Sequence, residues 1–154
     1  MSVEDNKRLV ARAVTEVING GNLAAVGELY ASEIAAAARE WVAPFRTAFP
    51  DVRMETVALV GEGDTVVGHF RCSGTHTGPW MGRPPTGRAV RDVREVCWFP
   101  VRGGRIVDWG PGGQRRTPPA AGPATRIILT GSRRSPVCRP ARRPRRATPS
   151  AGCT

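Results

Sequence analysis

The sequence predicts an α+β fold in which a cone-like, curved antiparallel sheet packs on three N-terminal helices. Apolar residues recur every three or four positions through the first fifty residues, as expected for amphipathic helices. After Pro50 the apolar period shortens to two, which is typical of strands. Because the helical and strand segments are separated along the chain, the pattern favours an antiparallel sheet with helices gathered on one side.

The helices have recognisable ends. Ser2 and Asp5 approximate a capping box at the start of the first helix, and the pair Gly20–Gly21 ends it. Asn22 can cap a short second helix, and a third helix covers residues 33–49. The apolar faces that define these helices are Leu9, Val10, Ala13, Val14, Val17 and Ile18 in the first, Leu23, Val26, Leu29 and Tyr30 in the second, and Ile34, Ala38, Trp41, Phe45 and Phe49 in the third.

Four strands follow. The tetrapeptide GEGD and the tripeptide RGG each suit a hairpin turn, and the Gly/Pro-rich segment 74–88 makes a longer connection. The predicted strands span residues 52–60, 65–73, 90–99 and 105–109. A curved sheet closed at one end by helices encloses an apolar interior, and concave apolar cavities with a few polar groups are the usual form of small-molecule sites.

Length and composition predict one cytoplasmic domain, residues 1–109. A chain of 154 residues has room for one core, and no apolar run approaches the ~20 residues that a bilayer requires. The four cysteines lack the spacing of a zinc site or a redox pair, so no metal is expected. Cys72 and Cys97 are predicted to be small buried strand residues.

Residues 110–154 form a separate, Arg/Pro/Gly-rich tail that includes Cys138 and Cys153. All 13 acidic residues lie at or before Asp108, whereas the net charge of +10 comes from arginines beyond it. We expect this tail to be disordered, because it has few large apolar side chains to offset its ordering entropy. Two origins fit its composition: a genuine basic extension, or a GC-rich gene read in a shifted frame. Nucleic acid would bind non-specifically, and through the tail only.

Several segments of the chain together carry a family resemblance. They are MSVEDNKRLV, GNLAAVGELY, FRTAFPDVRMETV, GEGDTVVGHF, SGTHTGPWMGRPPTGR and GGRIVDW. The longest pattern is GTHTG followed by MGRPPTGR between two predicted strands. Over residues 1–31 and 39–109 the chain resembles the SnoaL-like polyketide cyclase, or ester cyclase, family of the nuclear transport factor 2-like superfamily. It departs from the family pattern by lacking a segment between the second and third helices and by its unrelated tail.

The resemblance implies a function. Characterised members of the family close a ring by intramolecular aldol condensation without a cofactor, and relatives on the same fold isomerise steroids, dehydrate or open epoxides. An enolisable carbonyl compound is therefore the expected substrate, and a homodimer through the outer sheet face is the expected assembly, with no membrane partner. The alternative is a non-catalytic ligand-binding or dimerisation module of the same fold, or an inactive truncated relative.

Three side chains are candidates for acid/base catalysis. Asp108 ends a short strand, where an inward carboxylate would reach the cone mouth; an outward Asp would be merely solvated. Glu95 lies mid-strand, where an inward carboxylate would transfer protons, although a cross-strand pair with an arginine is the alternative. His69 has apolar neighbours on its strand and could act as a base or contact the ligand. If its face of the sheet is the outer one, it is a surface histidine instead.

Six further residues are candidates for ligand binding. Trp80 and Met81 are expected to fold over the cavity mouth, since their exposure on a loop would be costly, but anchoring of the loop is equally consistent. His76 is either a ligand contact or a hydrogen-bond partner that fixes the loop. The remaining three, Trp41, Phe70 and Trp98, are aromatic residues expected to shape the pocket.

Overall fold

The computed structural model describes residues 1–111. Helix α1 (Val3–Arg12) continues into a π-helical segment (Ala13–Asn19), and α2 (Val26–Leu29) and α3 (Ser32–Ala48) follow. The strands are β1 (Arg53–Glu62), β2 (Thr65–Thr75), β3 (Ala89–Arg102), β4 (Arg105–Ile106) and β5 (Gly110–Pro111). The predicted α+β class is confirmed. The predicted tail, with Cys138 and Cys153, lies outside the described residues except for Gly110 and Pro111, which form β5.

The first helix begins as predicted, whereas the predicted Asn22 cap is wrong: Ala25 precedes α2 without a side-chain cap, and Asn22 Oδ1 accepts only from the Ala25 amide at 3.4 Å. Ser2 Oγ accepts a hydrogen bond from the Asp5 amide at 3.1 Å, and the Asp5 carboxylate accepts one from the Ser2 amide at 3.0 Å, which completes the capping box. Asn19 ends the π-helical segment and bonds twice to the backbone of Met54. Its Oδ1 accepts from the Met54 amide at 2.7 Å, and its Nδ2 donates to the Met54 carbonyl at 2.9 Å. Asn19 thereby ties the helical layer to the start of β1.

The sheet is antiparallel and follows the order β1-β2-β3-β4, with β5 also pairing with β3. Its inner face packs on the helices, and the buried side chains of β2 alternate along the strand with half-buried or exposed ones. Phe70, fully buried, occupies the centre of this inner face. Gly68 lies beside it, and a Cβ atom there would collide with the Phe70 ring. The position of the ring therefore depends on the absence of a side chain at residue 68.

A β-bulge in β3 determines which side chains of that strand face inwards. Cys72 pairs with Val93 and Gly74 with Val90, so that two residues of β3 lie opposite Ser73 alone. The second of these, Asp92, has a left-handed backbone (φ 53°), and its amide donates to Ser73 Oγ at 3.1 Å. The additional residue reverses the alternation, so that both Val90 and Val93 reach the inner face.

The connection between β2 and β3 is held by its own backbone and by α3. Trp80 and Arg83 exchange amide-to-carbonyl hydrogen bonds of 3.0 and 2.9 Å around Met81 and Gly82, both with positive φ. This geometry is that of a type I′ turn. The amides of Thr77 and Gly78 donate to the Ala48 carbonyl at the end of α3 at 2.9 and 3.2 Å. The connection thus packs along the C-terminal part of α3.

Candidate active-site cavity

An apolar cavity of about 320 Å³ lies between the helices and the inner face of the sheet. The helical side of its wall includes Val14, Ile18, Trp41 and Val42, and the sheet side includes Phe70 and Phe99. Trp109 closes one side, next to β5. Its volume is near the lower end of the ~300–1,000 Å³ range of small-molecule sites, which suits a compact ligand.

Glu95 is the carboxyl group of the cavity wall. It follows the bulge on β3 and shares its face with Val93 and Cys97, which also line the cavity. Within residues 1–111 its side chain forms no ion pair, and burial alone raises its pKa. The carboxyl also lines a second, much smaller cavity of about 30 Å³. A carboxyl group of raised pKa in an apolar wall is suited to accept and return protons.

The raised pKa of Glu95 makes folding stability depend on pH. The folded state binds the Glu95 proton more tightly than the unfolded chain, in which the carboxyl has its ordinary pKa of 4.5. The contribution of this group to folding stability is therefore present at low pH and is lost as pH rises through the raised pKa. We expect wild type to lose stability relative to Glu95→Gln as pH rises from the ordinary carboxyl value of 4.5 through the raised pKa of Glu95. Urea unfolding of both proteins across this interval measures the difference. A difference independent of pH would contradict a raised pKa.

Two thiols flank the carboxyl. Cys72 is buried and Cys97 is half-buried, in agreement with their prediction as strand residues of the interior. Burial raises the pKa of each thiol to about 12, with the neighbouring Glu95 charge as a further cause. Both cysteines are therefore protonated at neutral pH. Cys97 contributes an apolar surface to the main cavity, whereas Cys72 lines only the smaller one.

Tyr30 is a polar residue of the cavity wall that the sequence did not single out. Only 5% of it is exposed, and burial, with a smaller effect from Cys97, raises its pKa to about 12. Its ring meets Trp109 edge-on, with centroids 5.8 Å apart. In the sequence Tyr30 belongs to the apolar face of the second helix. A hydroxyl group on an otherwise apolar face was the feature that could have indicated a role in the cavity.

The other two acid/base candidates do not line the cavity. Asp108 is half-buried, and its Oδ1 accepts a hydrogen bond from the adjacent Trp109 amide at 2.8 Å. His69 lies opposite Ala58 and Val96 on the outer face, because its neighbour Phe70 points inwards. The structure therefore brings neither side chain close to Glu95 within the cavity.

The six ligand-binding candidates divide into two groups. Trp41 and Phe70 line the cavity, whereas the remaining four do not. Trp80 packs against Trp41 and Phe45, with ring centroids 6.1 and 5.4 Å away. Instead of folding over the mouth, it anchors the β2–β3 connection to α3.

The last three candidates lie away from the cavity. His76 is buried, stacks on Phe49 with centroids 5.1 Å apart, and places Nδ1 3.1 Å from Thr86 Oγ1, which is the arrangement of a residue that fixes the loop. Met81 is 51% exposed at the tip of the turn, and Trp98 is 42% exposed on the outer face of the sheet.

Two further properties concern the described part of the chain. Within residues 1–111 no three His, Cys, Asp or Glu side chains are grouped in a way that could hold a metal ion. None of the helices in this range combines the length and the apolar character needed to cross a membrane.

The three-helix layer, the curved sheet and the cavity between them define an α+β cone of the nuclear transport factor 2-like class. Residues 8–110 match the family model of the SnoaL-like polyketide cyclases. Because the match covers more than half of the sequence, the chain belongs to the SnoaL-like polyketide cyclase family. No protein of curated function matches it significantly.

Solved structures support the same fold. A protein from Jannaschia sp. CCS1 assigned to the SnoaL-like polyketide cyclases is 24% identical, with a TM-score of 0.64 over 69% of this chain and 83% of that protein. TsrD from Streptomyces laurentii is 21% identical, with a TM-score of 0.60 over 71% and 88%. A SnoaL-like polyketide cyclase from Agrobacterium tumefaciens is 16% identical, with a TM-score of 0.60 over 71% and 89%. At these identities the similarity concerns the fold.

Proposed function

We propose that this protein is an acid/base enzyme of the cyclase or isomerase type that acts on a compact, enolisable carbonyl compound without a cofactor. The observation that carries the proposal is the position of Glu95, a carboxyl group in the wall of an apolar cavity with no ion-pair partner among residues 1–111. Membership of the SnoaL-like family supports the reaction class. Asp108 and His69 are weaker candidates for the same role because they lie outside the cavity wall.

The proposed reaction begins with proton transfer to Glu95. Its carboxylate takes the proton from the carbon next to the carbonyl, and the electron pair of the broken C–H bond moves to form an enolate. In a cyclase the enolate carbon attacks a second carbonyl of the same molecule, and the protonated Glu95 returns its proton to the resulting alkoxide. In an isomerase the proton returns to a different carbon. The apolar wall keeps water away from the reactive enolate.

Deuterium exchange tests the proton-transfer step without knowledge of the natural substrate. The bicyclic ketone 1-indanone is small enough for a compact cavity and carries exchangeable hydrogens at C2. We expect the protein to accelerate replacement of these hydrogens by deuterium in D₂O, with a rate that rises with pH as Glu95 ionises. Proton NMR measures the loss of the C2 signal. Binding of 1-indanone without accelerated exchange would favour the non-catalytic ligand-binding alternative.

The outer face of the sheet supports a second proposal, a homodimer. Val60 pairs with Val67, which pairs with Trp98, so that these three residues form an apolar row across β1, β2 and β3. Val60 is 67% exposed and Val96, on the same face, is 50% exposed. A contiguous apolar patch on a sheet face is typical of a surface that another protein covers. A second copy would present the same row and would bury it symmetrically.

Sedimentation equilibrium tests the dimer. We expect wild type to sediment as a dimer and Trp98→Lys to sediment as a monomer, because a charge in the apolar row would lose its hydration in the interface. Met81→Lys is the matched control, since Met81 is similarly exposed but lies on the loop tip. A monomeric wild type, or an equal effect of both substitutions, would contradict the proposal.

A further inference from the structure

The cavity has few side chains that could hold the oxygen of a carbonyl ligand. Tyr30 contributes the only side-chain hydroxyl of its described wall. Arg94 also borders the cavity, but it is exposed and alternates with Glu95 along β3, so that its side chain leaves the sheet on the opposite face. The indole N–H of Trp41 is sealed within the protein and reaches no open space.

The Tyr30 hydroxyl and the indole N–H of Trp41 both lack a hydrogen-bond partner among residues 1–111. Tyr30 is only 5% exposed and belongs to the cavity wall, so bulk water reaches little of this side chain. An unpartnered hydroxyl that faces an apolar cavity is positioned to bind a polar atom of a ligand.

The backbone and ring of Tyr30 are fixed. Tyr30 forms a parallel bridge with Ile106 in β4, and the next amide, that of Ala31, donates to the Ile106 carbonyl at 2.9 Å. Trp109 packs edge-on against the ring. A donor held in this way requires little reorganisation when charge develops on a ligand oxygen, and such preorganised donors contribute strongly to catalysis.

Tyr30, Glu95 and Cys97 all line the cavity. Cys97 is two residues beyond Glu95 on the same face of β3, which corresponds to a separation of about 6.6–6.8 Å along the strand. The Cys97 thiol is also near enough to Tyr30 to affect its titration. Tyr30 and Glu95 therefore share the part of the cavity wall around Cys97, where one ligand can contact both side chains.

We propose that the Tyr30 hydroxyl donates a hydrogen bond to the carbonyl oxygen of the ligand and stabilises the negative charge that this oxygen gains when Glu95 removes the adjacent proton. This inference rests on the proposed function for its catalytic meaning, but the hydrogen bond itself is independent of Glu95. The ligand class it defines is a compact, apolar ketone with its carbonyl oxygen unblocked and a C–H bond on the next carbon.

Binding of 1-indanone and of indane, the same bicycle without the oxygen, tests the hydrogen bond. We expect Tyr30→Phe to weaken 1-indanone binding by about 3- to 10-fold, which corresponds to one net hydrogen bond, and to leave indane binding unchanged. Isothermal titration calorimetry measures both affinities. An equal loss for the two ligands would show that Tyr30 only shapes the cavity, and would overturn the proposal. Failure of both ligands to bind wild type would overturn the ligand class.

The infrared carbonyl stretch of ¹³C-labelled 1-indanone gives a readout that packing alone does not move. We expect a lower stretching frequency on wild type than on Tyr30→Phe, because a hydrogen bond weakens the C=O bond. Identical frequencies on the two proteins would overturn the proposal. Glu95→Gln should retain the wild-type frequency while losing deuterium exchange. If wild type shows the lowered frequency without any exchange, the proposed function fails and the Tyr30 hydrogen bond stands.

Discussion

Glu95→Gln is expected to reduce C2 deuterium exchange of 1-indanone by about 10²–10⁴-fold, the usual contribution of a positioned general base. The substitution keeps the size of the side chain and removes only its ability to accept and return a proton. Because the glutamine is neutral in a wall where burial already disfavours charge, the fold should be retained. Exchange rates by proton NMR at saturating ketone, with thermal melting of both proteins, provide the measurement.

Asp108→Asn and His69→Gln are the matched variants for this experiment. Each replaces a titratable side chain with a neutral one of similar size, and neither residue lines the cavity. We expect exchange rates close to wild type from both. Loss of exchange in Asp108→Asn with retention in Glu95→Gln would move the catalytic role to Asp108 and contradict the proposed mechanism.

Gly68→Ala is expected to destabilise the protein by about 1–3 kcal/mol and to weaken ketone binding, because the new methyl group displaces the Phe70 ring towards the cavity. The double variant with Phe70→Leu should recover part of the loss, since the smaller side chain leaves room for the methyl group. Urea unfolding and 1-indanone titration of the single and double variants measure this coupling.

Gly27→Ala controls for the change of glycine to alanine itself. Gly27 lies in α2, where the nearest atom to a new Cβ would be the flexible Arg39 guanidinium at 3.4 Å. Alanine favours helix, so we expect this variant to be as stable as wild type or more so. Equal destabilisation by both substitutions would show that contact with Phe70 is not the cause.

Local patterns in the sequence were sufficient to predict the fold class. The Ser2 cap, the spacing of apolar residues and the hairpin turns each depend on residues close together in the chain, and the predicted strand 65–73 differs from β2 (Thr65–Thr75) by two residues. Trp80 illustrates the limit of such reasoning. Its role depends on contacts with Trp41 and Phe45 in a distant helix, which no local pattern encodes.

The candidate site was less predictable because it depends on which face of each strand is buried. Glu95 could be assigned to the cavity only once Val93 and Cys97 were found on the inner face. Asp108 is predicted to end a strand spanning residues 105–109, but β4 ends at Ile106, so that strand alternation does not fix the direction of the Asp108 side chain. Tyr30 has the periodicity of a core residue, and its place in the cavity wall becomes visible only in the folded structure.

Because of the bulge at Asp92, the length of the β2–β3 connection can vary independently of the orientation of the side chains in the cavity wall. Beyond it, Val93 to Pro100 pair residue by residue with β2, which fixes the orientation of Glu95. Before it, the extra residue already accommodates a change of alternation, so an insertion or deletion in the connection can be absorbed there without turning Glu95 outwards. Descendants of this protein could therefore acquire connections of different length while inheriting the same inward carboxyl group.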